Sequence, residues 1–377
     1  MKRSQYEVAD VITRFKNDFF AQHSVNSYQM RTLYALEKCR TAALGGYVTV
    51  CDSCNTKVQA YNSCRNRHCP KCQGSKQIFW VEDLINSTFD VTHFHIVFTI
   101  PHILNEICLC DTKWFFNIMF HYVWDTLKTF GYSDFACETA AVCMLHTWGQ
   151  NLSFHPHIHC IVPAIGKRFS GSYKHIGKTY SYLYNVNKLS SVFRGKMMQK
   201  IVLFLKNNNL LYSFKNTINE AYSKDWVVHS KPAFGKAEHV IAYLGNYTQR
   251  VAISNNRIVS IDEQNVVFRY KDYADNEKTK TMKLSGVEFL RRFCMHILPK
   301  GFVKIRRYGL YSSRMRTLEK KQINKMIVPE HAHETTRERL IRLTGFDVCL
   351  CPFCKKGTLV PVHERPRIRS PDNQSIA

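Results

Sequence analysis

His155-Pro156-His157-Ile158-His159 sets two imidazoles around one large apolar residue, the arrangement by which a β-strand presents a divalent metal site. Side chains at i and i+2 of a strand share a face, so His157 and His159 point together while Ile158 turns to the core. Gln150 lies before His157 across an expected hairpin, where its amide oxygen could be a third ligand. Two neutral imidazoles and an amide leave positions open for water and a phosphate oxygen, as a catalytic Mg²⁺ or Mn²⁺ requires. His93, His95, His146 and His155 are read as core residues or neighbours of the ligands, with His146 held in reserve as a ligand.

Further along, Tyr243-Leu-Gly-Asn-Tyr247 falls in a stretch that reads as helical from Lys236 to Arg250. Phenols four apart on a helix lie on one face. A phenol of pKa about 10 is a poor nucleophile at neutral pH. A metal that withdraws charge from a scissile phosphate lowers that barrier by several kcal/mol. The resulting phosphotyrosine ester keeps the bond energy, so cleavage and rejoining need no ATP, and no Walker-type phosphate loop occurs in the chain. The plainer account of the two tyrosines is an aromatic stripe on a buried helix. Gly245 between them costs about 1 kcal/mol relative to alanine, which is explained if DNA approaches the helix closely.

The cysteines carry a second chemistry. Cys51-x-x-Cys54 and Cys69-Pro-Lys-Cys72 form two knuckles fourteen residues apart, the spacing of a structural zinc ribbon. Cys64 and His68 lie between them and could replace a ligand or serve a second site, while Cys39 is read as a core cysteine. Cys351-Pro-Phe-Cys354, with Cys349 beside it, repeats the knuckle near the other end as a second zinc site that His363 or another remote residue would have to complete. Arg65, Arg67, Lys71 and Lys76 surround the first knot and suggest phosphate contact.

Charge points the same way. The 377 residues carry 53 Lys+Arg against 29 Asp+Glu, a formal net charge of +24 that calls for a polyanionic partner, in most cases nucleic acid. Lys278 to Lys321 holds thirteen of the cations against two acids, Glu288 and Glu319, interleaved with Phe293, Phe302, Tyr308 and Tyr311. Lys304, Arg306 and Arg307 are the expected phosphate contacts there. Fifteen cysteines in metal-spaced clusters, without an apolar leader or a long apolar run, indicate a soluble, cytoplasmic chain with no membrane partner rather than a disulfide scaffold.

Elements must position these groups. Val8, Val11, Ile12, Phe15 and Phe19 predict a helical lead-in, and a helix around Gln77 to Phe89 tethers the cysteine knot to the next module. Residues 93–100, 142–148 and 157–162 read as strands, the last two as a hairpin, with a helical region between Trp114 and Tyr132. Two short strands come later, at 257–261 and 265–270. The fold class is α+β: a central antiparallel sheet flanked by helices, preceded by a small zinc-ribbon-like domain. The expected segments are 1–90, helical lead-in and zinc-binding domain; 91–275, nuclease core; 276–345, basic DNA-binding region; and 346–377, second cysteine cluster and disordered tail.

The order of the CxxC…HCPxC knot, LHTWGQNLSFHPHIHCIVP, AYLGNYTQRVAIS and LPKGFVKIRRYG resembles the rolling-circle insertion-sequence transposases, the insertion-sequence-91-like group of HUH endonucleases. The resemblance runs over nearly the whole chain and implies an N-terminal zinc-binding domain before an HUH nuclease core. By that resemblance His157 and His159 are the metal ligands, Tyr243 and Tyr247 the two-tyrosine motif, and Gln150 a polar third ligand. The implied reaction nicks single-stranded or hairpin DNA at element ends, leaving a 5′-phosphotyrosine and a free 3′-OH. The rivals are a replication initiator or relaxase with the same chemistry, and a zinc-dependent DNA-binding regulator with an inactive nuclease.

Overall fold

Val8, Val11, Ile12, Phe15 and Phe19 fall on one face of α1 (Val8–Gln22), and all five are buried. A computed structural model of the chain describes residues 4–177, 182–231, 251–312, 319, 322–323 and 334–366. These divide into two compact units, one from residues 1–78, 249–297 and 329–377, the other from 79–248 and 298–328. The grouping cuts across the expected segments, because both ends of the chain and a middle stretch share the first unit.

In the first unit, Glu7 and Asp10 close a capping box that starts α1, and the Asn26 side chain accepts from the Tyr28 and Gln29 amides to start α2 (Ser27–Glu37). The apolar face of α1 packs on α2 and on α8 (Gly286–Met295). Gly286 opens α8 because a Cβ there would meet the Phe15 ring at 2.1 Å. A meander of β10 (Ile258–Ile261), β11 (Asn265–Asp272) and β12 (Lys278–Ser285) leads into that helix.

The cysteine-bearing sheet has β1 (Gly46–Cys51) at its centre, between β2 (Lys57–Tyr61) and β14 (Leu359–Arg365), all antiparallel. Helix α9 (Thr336–Thr344), capped by Thr335 and Glu338, precedes β14. The disordered tail expected within 346–377 is therefore corrected for Leu359–Arg365, which pairs along the whole of β1. The strand hydrogen bonds of that segment are satisfied by a partner some three hundred positions away in sequence, which no local pattern reveals.

The second unit is built on a five-stranded antiparallel sheet, ordered β13 (Ile305–Gly309), β5 (Ala140–Trp148), β6 (Phe154–Pro163), β3 (His93–Thr99), β9 (Val228–Lys231). One face presents Leu145, Ile158, Phe94, Ile96 and Phe98, all buried, and Phe98 meets Phe193 edge-on at 5.1 Å. Phe193 belongs to α6 (Val186–Asn207), which packs on α5 (Thr112–Phe135). On the opposite face Val142, Met144 and Ile161 pack against Leu84 of α3 (Gln73–Ser87). Helices α4 (Asn105–Cys110) and α7 (Lys215–Ser223) complete the helical layers, and a small sheet of β4 (Cys137–Glu138), β7 (Ile165–Arg168) and β8 (Tyr173–His175) extends the unit.

The fold is mixed α+β with antiparallel sheets, as expected. The basic stretch 278–321 is not one region: β12 and α8 belong to the first unit and β13 to the second. Among the described residues no helix is long and apolar enough to cross a membrane.

Candidate metal centres

Strand register brings three histidines together. His146 on β5 stands directly opposite His157 on β6, and His159 stands opposite Met144, so the three imidazoles rise from one face. Their ligand nitrogens lie within 4.8 Å of one another. Two metal–nitrogen bonds of about 2.1 Å span at most about 4.2 Å end to end, so the cluster is near the spacing of one ion and small ring rotations would close it. Nδ1–H of His157 donates to the His155 carbonyl at 2.7 Å, which leaves the Nε2 lone pair outward for a ligand. Burial holds His157 neutral, its pKa pushed down to about 4, and pushes His159 well below the ordinary histidine range. Neutral imidazoles are the form that binds metal.

Sequence spacing favours Gln150 as the third ligand, with His146 in reserve. The structure places His146 in the cluster and Gln150 four residues further on, in the turn after Trp148, whose indole stacks on His146 at 5.1 Å. Only the register of β5 on β6 identifies His146, and register is a non-local property. Tyr243 and Tyr247 lie outside the described residues; the chain reaches that segment from β9, which pairs with β3.

The cysteines form two groups of four. Cys39, Cys64, Cys69 and Cys72 make one, with Cys39 Sγ 3.5 Å and Cys64 Sγ 3.7 Å from Cys72 Sγ. Cys51, Cys54, Cys351 and Cys354 make the other, with Cys51 to Cys354 and Cys54 to Cys351 both at 3.7 Å. Thiolates around Zn²⁺ at about 2.3 Å sit about 3.8 Å apart at the corners of a tetrahedron, whereas a disulfide would bring sulfurs to about 2 Å. Both groups fit zinc.

The single ribbon expected from Cys51, Cys54, Cys69 and Cys72 is thus divided between two sites. Cys39, read as a core cysteine, joins the first with Cys64; His68 and His363 are in neither group, and neither is Cys349. The two knuckles of the second site are built alike. Asn55 and Lys355, each at φ 56, follow the second cysteine and return their amides to the carbonyls of Cys51 and Cys351, both at 3.0 Å. Backbone amides of Ser53 and Gly357 point at the sulfurs of Cys51 and Cys354, at 3.4 Å each. Gly357 has no room for a Cβ, which would meet Cys51 Sγ at 2.4 Å. Hydrogen bonding to Thr56 pulls the Cys54 thiol down to about 6, toward thiolate.

Of the expected phosphate contacts, several are engaged within the fold. Lys71 pairs with Glu7 at 2.7 Å. Arg306 bonds Asn117 and lies over the Phe120 ring at 4.2 Å, and Arg307 donates to Ser87 Oγ at 3.0 Å. Arg67 is half-buried and bonded to His68, Lys304 is half-buried, and Arg65 is exposed.

A sheet-borne histidine centre, two four-thiol clusters and a net charge of +24 define a metal-binding protein suited to a polyanion. Comparison with known proteins narrows the class. Residues 11–100 match a family model described as "Transposase zinc-binding domain", and residues 140–319 match one described as "Putative transposase". The chain is 37% identical to "Putative transposase y4qJ" of Sinorhizobium fredii, over 96% of each chain. It is 24% identical to the "Transposase for insertion sequence element IS801" of Pseudomonas savastanoi pv. phaseolicola, covering 76% of this chain and 71% of that one. No solved structure matches. The chain belongs to the insertion-sequence-91-like transposases with an N-terminal zinc-binding domain.

Proposed function

We propose that the chain nicks and rejoins single-stranded DNA at element ends as an HUH-type transposase, with His146, His157 and His159 holding a catalytic divalent ion. The observation that carries this is the three-histidine cluster on one sheet face, with Nε2 of His157 freed by its bond to the His155 carbonyl. When bound, the ion polarises the scissile phosphate and offsets the charge that develops there. The three ligands are neutral, so they leave its positive charge for phosphate. An all-nitrogen set favours Mn²⁺ over Mg²⁺, which prefers oxygen donors.

Tyr243 or Tyr247 supplies the nucleophile. Its Oη bonds to phosphorus while its proton passes to solvent; the bond to O3′ breaks and O3′ takes up a proton. The 5′-phosphotyrosine then yields to an incoming 3′-OH, which restores the phenol and the phosphodiester. The cysteine clusters hold structural zinc, and the exposed Arg65 and Lys283 are cations available to DNA backbone in the first unit, whereas Lys278 and Lys280 of β12 pair with Asp272 and Asp275.

The test is incubation with labelled single-stranded element ends in Mn²⁺ or Mg²⁺. A denaturant-resistant adduct is expected in wild type, lost with chelator and in the Tyr243→Phe/Tyr247→Phe double variant. Tight binding without an adduct, across several end sequences, would reject the nuclease reading in favour of a DNA-binding regulator.

A further inference from the structure

His95 stands on β3 opposite Ile161, and His159 stands on β6 opposite Val97, so the two side chains rise from the same face one diagonal apart. Nε2 of His95 lies 2.8 Å from Nδ1 of His159, and the rings are nearly parallel, 8° apart with centroids at 5.1 Å. His95 is buried, 3% exposed. One proton lies between the two nitrogens. If Nδ1 of His159 carries it, Nε2 of His159 keeps its lone pair, and that nitrogen is out of solvent with no hydrogen bond among the described residues. An imidazole nitrogen left so within 4.8 Å of the ligand atoms of His146 and His157 is oriented for an ion.

We propose that His95 is a positioning residue: its Nε2 accepts from Nδ1–H of His159 and holds that ring in the tautomer and rotamer that turn its Nε2 to the metal. This rests on the three-histidine reading of the metal centre. His157 receives the same service from a backbone carbonyl, which no substitution removes. At His159 a side chain performs it, so the effect can be tested.

The experiment measures Mn²⁺ affinity of the full, zinc-loaded chain by electron paramagnetic resonance of free Mn²⁺. It compares wild type, His95→Leu and His95→Gln, whose amide oxygen can accept the same proton. His95→Leu is expected to weaken Mn²⁺ by about 10–100-fold and His95→Gln by only a few-fold, with saturating Mn²⁺ returning the adduct-forming rate of His95→Leu close to wild type. Unchanged affinity in His95→Leu, or equal losses in both variants, overturns the proposal. If His95→Leu loses zinc or its far-ultraviolet dichroism, His95→Phe, which keeps a ring without a nitrogen, replaces it under the same criteria. A wild-type chain whose Mn²⁺ binding is indifferent to His159→Ala would instead overturn the metal centre itself.

Discussion

At the scale of single residues, the histidine centre depends on which ring nitrogen carries the proton. A carbonyl two positions back decides this for His157, at 2.7 Å. Cross-strand placement favours His146 as the proposed third ligand: it is buried and directly opposite His157, whereas Gln150 is beyond the end of the strand. His146→Ala is therefore expected to lower Mn²⁺ affinity by at least the 10–100-fold typical of losing a ligand's supporting partner, and Gln150→Ala by much less. Isothermal titration with Mn²⁺ on both variants checks the order. A larger loss in Gln150→Ala would return the third position to the amide. The same titration with Mg²⁺ should show weaker binding in wild type, since among the described residues no carboxylate joins the three nitrogens in the cluster.

At the scale of elements, β3 is anchored by a closed polar network at the end away from the histidine cluster. Nδ1–H of His93 donates to the Val91 carbonyl at 2.7 Å, so its Nε2 accepts from the Tyr311 hydroxyl at 2.6 Å, which in turn accepts from the Phe89 amide at 3.3 Å. Every polar atom of the pair is used, although both side chains are buried. Tyr311→Phe strands Nε2 and the Phe89 amide, and should destabilise by about 1–3 kcal/mol in urea unfolding at constant zinc. Burial lowers the His93 pKa to about 4, against about 6.5 in an unfolded chain. Between those values the unfolded state binds the extra proton, so stability is full above about pH 6.5 and falls as pH drops toward 4, by up to about 3 kcal/mol. A His93→Leu chain should show a shallower slope over that window; an identical slope would mean that His93 does not titrate there. Such networks join strands far apart in sequence, which is also why legibility is uneven. The strand at 157–162 can be read because period-two alternation is local, and α1 because its apolar stripe is. The partner of His157 cannot, since a one-residue slip of β5 would turn His146 to the other face. Cys39 escapes a reading by spacing for a related reason: it follows α2 alone, without a second cysteine at knuckle distance.

At the scale of the whole chain, the second four-cysteine cluster ties one end of the sequence to the other. Cys51 ends β1 and Cys54 follows in the turn, Cys351 and Cys354 precede β14, and those two strands pair in the same sheet. Two identical knuckles cannot choose partners from spacing alone; the choice is made by the sheet, through pairing of Thr49 with Pro361 and Cys51 with Leu359. Closing so long a loop costs little more than closing a short one, because the entropy grows only with the logarithm of length. Zinc binding by four thiolates is itself folding free energy, of a size that can offset that closure. The matched zinc-binding region, residues 11–100, contains all four ligands of the first cluster but only half of the second. The 377-residue chain is therefore expected to hold two zinc ions, and Cys351→Ser/Cys354→Ser to hold one, measured by elemental analysis after dialysis. The same double variant should free β14 from β1 and expose residues 346–366 to limited proteolysis while Cys39, Cys64, Cys69 and Cys72 keep their ion. Retention of two zinc ions by the double variant would mean that Cys51 and Cys54 find other partners. Loss of both would mean that the clusters fold as one cooperative unit, with β14 required for the first cluster.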